Sequence, residues 1–142
     1  MKDRKPVTVL LTILAYVVST FAVQGASHFA INAGHYAAIS IMRPDPVIPL
    51  GIGSMLVQGG IFAWLFPTFD TGGSSMRNAL VFSWAIGGFL ASYIALVEAG
   101  KYAIPSIPSW ITVEASTAAV QYTVFGVLLG LLHRRPAQQR GV

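Results

Sequence analysis

The chain has no cysteine, and only 10% of its residues carry charge. The first absence excludes disulfides, thiolate chemistry, iron–sulfur clusters and cysteine zinc sites. The second separates it from ordinary soluble domains, in which about 25% of residues are charged. Between Val7 and Met42 there is no Lys, Arg, Asp or Glu at all. The net charge of +4 is no nucleic-acid signal, because the basic residues lie at chain ends and in loops beside apolar runs. No internal repeat or long low-complexity tract is present.

What is there is apolar. Hydrophobic residues make up 54% of the 142, and the mean hydropathy is +0.65. A bilayer core needs about 20 apolar residues in a helix. Four segments meet that length, at about 7–25, 47–66, 79–98 and 110–132. Turn signals separate them: RPDP at 43–46, PTFDTGGSS at 67–75 and GKYAIPSIPS at 100–109. Ser75 and Ser109 stand where N-caps of the third and fourth helices would be. The expected fold is an all-α integral membrane protein. It is a four-transmembrane-helix bundle forming one membrane domain over residues 1–142.

MKDRK followed by an apolar run also resembles a signal peptide. Gln24 and Thr20 occupy the −3 positions of the candidate cleavage sites after Ala26 and Ala22. Neither is the small residue that cleavage requires, so the first span is expected to stay uncleaved. Basic residues favour the cytoplasmic side. With four spans and both termini cytoplasmic, Lys2, Arg4, Lys5, Arg77, Arg134, Arg135 and Arg140 fall inside, and Arg43 and Lys101 outside. A five-span arrangement splits the basic residues almost evenly and leaves no turn between the first two spans. The expected setting is a bacterial inner membrane, with the bilayer, other membrane subunits or a second copy as partners and no nucleic acid.

Residues 7–42 as one straight helix would be about 54 Å long, far more than a bilayer core of about 30 Å. Something must give near Gly25. The expectation is a short interfacial helix over about 27–42, ended by Pro44 and Pro46. His28, Asn32 and His35 are spaced four and then three apart, so they share one face of it.

Those three residues match the depth of Glu98, Lys101 and Glu114 at the outer ends of the third and fourth spans. Ionisable groups at membrane level are costly and often mark function. His28, Asn32, His35, Glu98, Lys101 and Glu114 are therefore the candidate ligand-binding set, with the histidines expected to face the two glutamates. Glu98 and Lys101, three apart, can pair across a helix turn. A metal site from His28 and His35 is disfavoured, because seven residues put them about 10 Å apart along the axis. No metal and no catalytic residue is assigned, and no cofactor is indicated. Gln58 and Gln121 each lie 11 residues inward from the outer start of their span. At roughly 16 Å depth both would reach the bilayer centre, where they are expected to pair across helices. Trp64, Trp84 and Trp110 read as interfacial anchors, and His133 as a cytoplasmic flank.

The leading functional expectation is a non-catalytic subunit or binding protein. Its outer polar pocket would take a partner or a small, lipid-like ligand. The alternative is a small integral-membrane enzyme with a Glu/His acid–base or metal site at the outer face.

Overall fold

The structure, a computed structural model, describes residues 5–43, 45–70 and 75–134. Both chain ends lie outside them, so the expected cytoplasmic termini, with Lys2, Arg4, Arg135 and Arg140, are not placed, nor is Pro44. The described residues are helical, without strands, and four helices are long and apolar enough to cross a membrane. These are α1 (Pro6–Ile31), α3 (Ile48–Phe69), α4 (Ser75–Lys101) and α5 (Ile107–Leu132). Between α1 and α3 lies the short α2 (Ala33–Ala37).

Helix starts follow the local chemistry. Proline occupies the first turns of α1, α3 and α5, where a missing N–H costs nothing. Ser106, rather than Ser109, caps α5: its side chain accepts from the Ser109 backbone N–H at 3.4 Å. Ser75 is already the first helical residue of α4. The length problem of the first span is solved in two steps. α1 continues through a π turn, Ser27–Ile31, in which the Asn32 N–H reaches the Ser27 carbonyl at 2.8 Å. The chain then breaks at Asn32, and only five residues form α2. The expected helix over 27–42 is therefore split between a prolonged α1 and a short separate turn.

Packing runs in the order α3, α1, α5, α4, with α3 and α4 barely touching. Small residues permit the close approaches. A Cβ on Gly59 would lie 3.2 Å from the Ile13 backbone, and one on Gly126 would lie 3.1 Å from the Ser83 side chain. Gly87 lies directly under the Tyr122 ring. Gly88 has open space instead, and Ser92 one turn later is exposed, so this side of α4 faces outward.

The distribution of side chains is that of a membrane bundle. Val, Leu and Ile dominate the exposed faces, with Ile31 and Phe89 each at 77% exposure. Thr12, Thr20, Ser27, Ser83, Thr117 and Gln121 are buried between helices. Lipid supplies no hydrogen bonds, so polar groups gather where other helices satisfy them.

Candidate functional site

At the end of the bundle where α1 begins, the core is aromatic and closed. Phe62 meets Phe125 at 4.7 Å and Phe82 at 5.8 Å, both edge-on. Phe66 and Leu129 have no exposed surface. All the ring contacts between α3 and α4 involve Phe82, against Phe62, Phe66 and Phe69.

Beyond that plug a polar column rises along α1 and α5. The Tyr16 hydroxyl donates to Gln58 Oε1 at 2.6 Å. Its single proton is then committed, so Tyr122 is the donor in the 3.4 Å contact between the two phenols. One turn further, Gln121 donates to Thr20 at 3.1 Å and accepts from Gln24 at 2.7 Å. Ser27, held by the π turn, lies 3.0 Å from Thr117 and accepts from Asn32 at 2.9 Å. At the top the Tyr36 hydroxyl donates to Glu114 Oε1 at 2.8 Å. Burial, and after it the Glu114 bond, pushes the Tyr36 phenol above its ordinary value, so it remains a donor. His28 stacks on the other face of Tyr36, with ring centres 3.8 Å apart and planes 10° apart.

A cavity of about 140 Å³ lies against this column. Its polar wall includes Tyr16, Gln58, Glu114, Gln121 and Tyr122, and Leu90, Ile94 and Ala118 supply apolar surface. Glu114 is only 8% exposed. One of its oxygens is held by Tyr36, and the other makes no hydrogen bond among the described residues. At roughly 30 Å³ per water the space suits a small polar head, below the 300–1,000 Å³ of whole-ligand pockets.

The residues expected from the sequence are only partly brought together. Glu114 is central: it sits two turns into α5, buried rather than solvated at a helix end. His28 touches the site through Tyr36, and its Nδ1 lies 3.0 Å from the Gln24 carbonyl. Asn32 supports Ser27 from outside the cavity. His35 stands apart, with Nδ1 3.2 Å from Ser109 Oγ and Nε2 buried without a partner. Neither histidine forms an ion pair with a glutamate among the described residues: Tyr36 stacks on His28 and itself takes the Glu114 oxygen, and His35 is turned to Ser109. Glu98 lies within electrostatic reach of Glu114 and Lys101. Lys101 turns its amine over the Tyr102 ring, 5.3 Å from its centre, rather than closing an ion pair with Glu98. Gln58 and Gln121 line the same cavity but bond to Tyr16 and to Thr20 and Gln24, not to each other. No group of three His, Asp or Glu suited to a metal forms among the described residues.

The settings of Trp110 and His133 differ from expectation as well. Trp64 and Trp84 are exposed, but Trp110 is buried at 4% and donates to the Ile94 carbonyl at 3.0 Å. Ile94 lies in a second π turn, Tyr93–Glu98, whose altered ladder makes a carbonyl available to a side chain. His133 is half-buried against Phe66 rather than free in a flank. Tyr36, expected from the sequence only as an aromatic wall of the pocket, holds Glu114 through its hydroxyl, while Tyr16, Thr20, Gln24 and Tyr122 carry the site without an expected role in it. Three of them carry a periodic signal: Tyr16, Thr20 and Gln24, followed by Ser27, recur at helical spacing on one face of an otherwise apolar span.

Comparison of the chain with known protein families, curated proteins and solved structures finds no match in any of the three. The site is therefore argued from its own geometry.

Proposed function

We propose that the protein is a membrane-embedded binding protein that takes the polar head of a small amphiphile into the cavity at the bundle centre. The observation that carries this reading is Glu114. Tyr36 holds one carboxylate oxygen, and the second is left for a guest in a cavity whose other polar groups already bond to one another. A carboxylate in such a place favours a head that donates hydrogen bonds, above all a cationic amine. The cavity is too small for a whole lipid, so the tail stays outside the bundle. The gap between α3 and α4 beyond the Phe62–Phe82 contact is the natural exit for it.

The test is binding of a single-chain alkylamine to the purified protein. Glu114→Gln keeps shape and removes the charge, so affinity should fall by tenfold or more while the melting temperature holds. Unchanged affinity would remove Glu114 from the site. A second reading, a small acid–base enzyme, draws on the same Tyr36–Glu114 bond beside His28. Chemical alteration of an added amphiphile by wild type, lost in Glu114→Gln, would favour it over simple binding.

The reading places Glu114 in the outer half of a bacterial inner membrane, with both chain ends cytoplasmic. The distribution of basic residues supports that orientation. A cysteine at Ser106 should react with an impermeant thiol reagent from outside, and one at Gln138 should not. The reverse pattern moves the site to the cytoplasmic half.

A further inference from the structure

A second set of spaces lies outside the bundle core, and its chemistry differs from that of the Glu114 cavity. The larger is about 500 Å³ and opens where the chain leaves α2. His28, Tyr36, Ser40 and Arg43 give it polar walls. The smaller, about 200 Å³, runs between the last turns of α1 and the first turns of α3. Phe21, Gly25, Gly51, Ile52 and Met55 line it. The two share His28, Phe29 and Pro46, so they adjoin along those residues as a polar bowl beside an apolar channel, together a groove.

We infer that this groove is a binding site for one anionic phospholipid, with its phosphate in the Arg43 bowl and an acyl chain in the channel between α1 and α3. The charge pattern selects the ligand. Arg43 is exposed and makes no hydrogen bond or ion pair among the described residues, and no acidic side chain among them lines either space. A guanidinium is well matched to phosphate oxygens. A zwitterionic lipid would bring a cation that finds no carboxylate in the lining of either space, since even the neighbouring Asp45 lines neither, so a net anionic head is favoured. Ser40 adds a hydroxyl donor to the bowl. His28 uses its Nδ1–H toward the Gln24 carbonyl, which leaves Nε2 of the neutral ring as an acceptor for hydroxyls of the head group.

Depth agrees with charge. α3 begins at Ile48, so Arg43 precedes the membrane-crossing helix by only a few residues and sits at head-group level. From Val47 to Met55 the channel wall descends roughly 12 Å along α3, the direction an acyl chain takes. The channel is also apolar where a free phosphate would need water. That decides for a phosphate carried on a lipid over a soluble anion. Two glycines keep the channel open: nothing lies within 4 Å of the place a Cβ would occupy at Gly25 or Gly51. A larger side chain there meets only the proposed acyl chain.

The experiment uses the full chain, delipidated in detergent and titrated with phosphatidylglycerol, phosphatidylcholine or inorganic phosphate. Native mass spectrometry counts the bound lipid, and thermal melting reads the stabilisation. Phosphatidylglycerol should bind at least tenfold more tightly than phosphatidylcholine. Arg43→Gln should bring it down to the phosphatidylcholine level without changing the lipid-free melting temperature. Gly51→Leu should weaken both lipids at least fivefold by filling the channel. If that variant does not fold, Gly25→Leu, which is equally open, serves the same purpose. Equal binding of the two lipids, a preference that survives Arg43→Gln, or lipid binding untouched by the filled channel would overturn the site. Stabilisation by inorganic phosphate equal to that by phosphatidylglycerol would overturn the lipid as its occupant. None of these outcomes depends on Glu114, so the alkylamine test and this one fail separately.

Discussion

Where α1 begins, four helices close on Phe62, Phe66, Phe82 and Phe125, and glycines let α4 and α5 come close. A Cβ on Gly130 would fall 3.0 Å from the Met76 backbone. Where α1 ends, α1 and α2 are joined to α5 by hydrogen bonds among Gln24, Gln121, Ser27, Thr117, Tyr36 and Glu114. The first half is dry and filled, and the second is polar and encloses a cavity. On the proposed membrane setting, the difference follows from what lipid does and does not supply to each half. Apolar surface gains little by leaving lipid for protein, so the closed half depends on close packing. The open half depends on polar groups that lipid cannot satisfy. Packing of the first kind leaves no room for a guest. The second kind leaves room wherever side chains reach across rather than touch.

The sharpest way to break the comparison is at the border between the halves. Gly87 lies beneath the Tyr122 ring, with ring atoms from 2.2 Å to 2.7 Å from where a Cβ would stand. Gly87→Ala must push that ring toward Tyr16 and the cavity. Overpacking of this kind costs about 1–3 kcal/mol. Gly88→Ala is its control, because it meets nothing and replaces a poor helix former. A large drop in melting temperature for the first and none for the second is expected in detergent. Equal effects would show that the α4–α5 approach does not set the border.

Tyr36→Phe tests the open half alone. It keeps the ring under His28 and removes only the hydroxyl that Glu114 accepts. Hydrogen bonds to charged groups contribute about 1.5–3 kcal/mol in soluble proteins, but bonds between membrane helices average about 0.6 kcal/mol. A loss between these figures is expected, near the lower end because the cavity can admit water to Glu114. A melting curve identical to wild type would mean that this bond does not hold α2 onto α5.

The sequence showed the four spans plainly, because charge-free runs of bilayer length have few alternative folds. Their internal breaks were hidden. Nothing in SHFAI or YIALVE distinguishes a π turn from regular helix; each π turn coincides with a contact across helices, Ser27 with Thr117 and Ile94 with Trp110, that the sequence does not reveal. The site was half legible. Glu114 stood out as an acid in an apolar span, and Gln58 and Gln121 as amides at matched depth. Their actual partners depend on helix rotation, which span length does not fix. A tyrosine in a membrane helix reads as an interfacial anchor until its neighbours are known, so Tyr16 and Tyr122 went unremarked as the groups joining α1, α3 and α5. The histidines matched the glutamates in depth, but depth says nothing about direction, and Tyr36 stands between them.

The smallest expected effect lies in the closed half, at its rim. His133 follows α5, set edge-on to Phe66 with ring centres 4.9 Å apart. Its Nε2 is 3.2 Å from Thr12 Oγ1. Thr12 gives its own proton to the Thr8 carbonyl at 2.8 Å, so Nε2 must be the donor, and Nδ1 is where a second proton would add. Burial lowers the imidazole from its ordinary value of 6.5, although Asp70 pulls the other way. The folded chain therefore holds this ring neutral at a pH where the unfolded chain has already protonated it. Stability is complete above about pH 6.5, declines as pH falls from there to the depressed folded value, and then levels off. His133→Gln keeps a donor for Thr12 and removes the titration. Its melting temperature should change less than that of wild type across the acid side of pH 6.5, with the two converging at higher pH. Parallel curves would mean that the ring titrates alike in both states. The aromatic plug would then stop short of His133, and the dry half would be one helical turn shorter than the Phe66 contact implies.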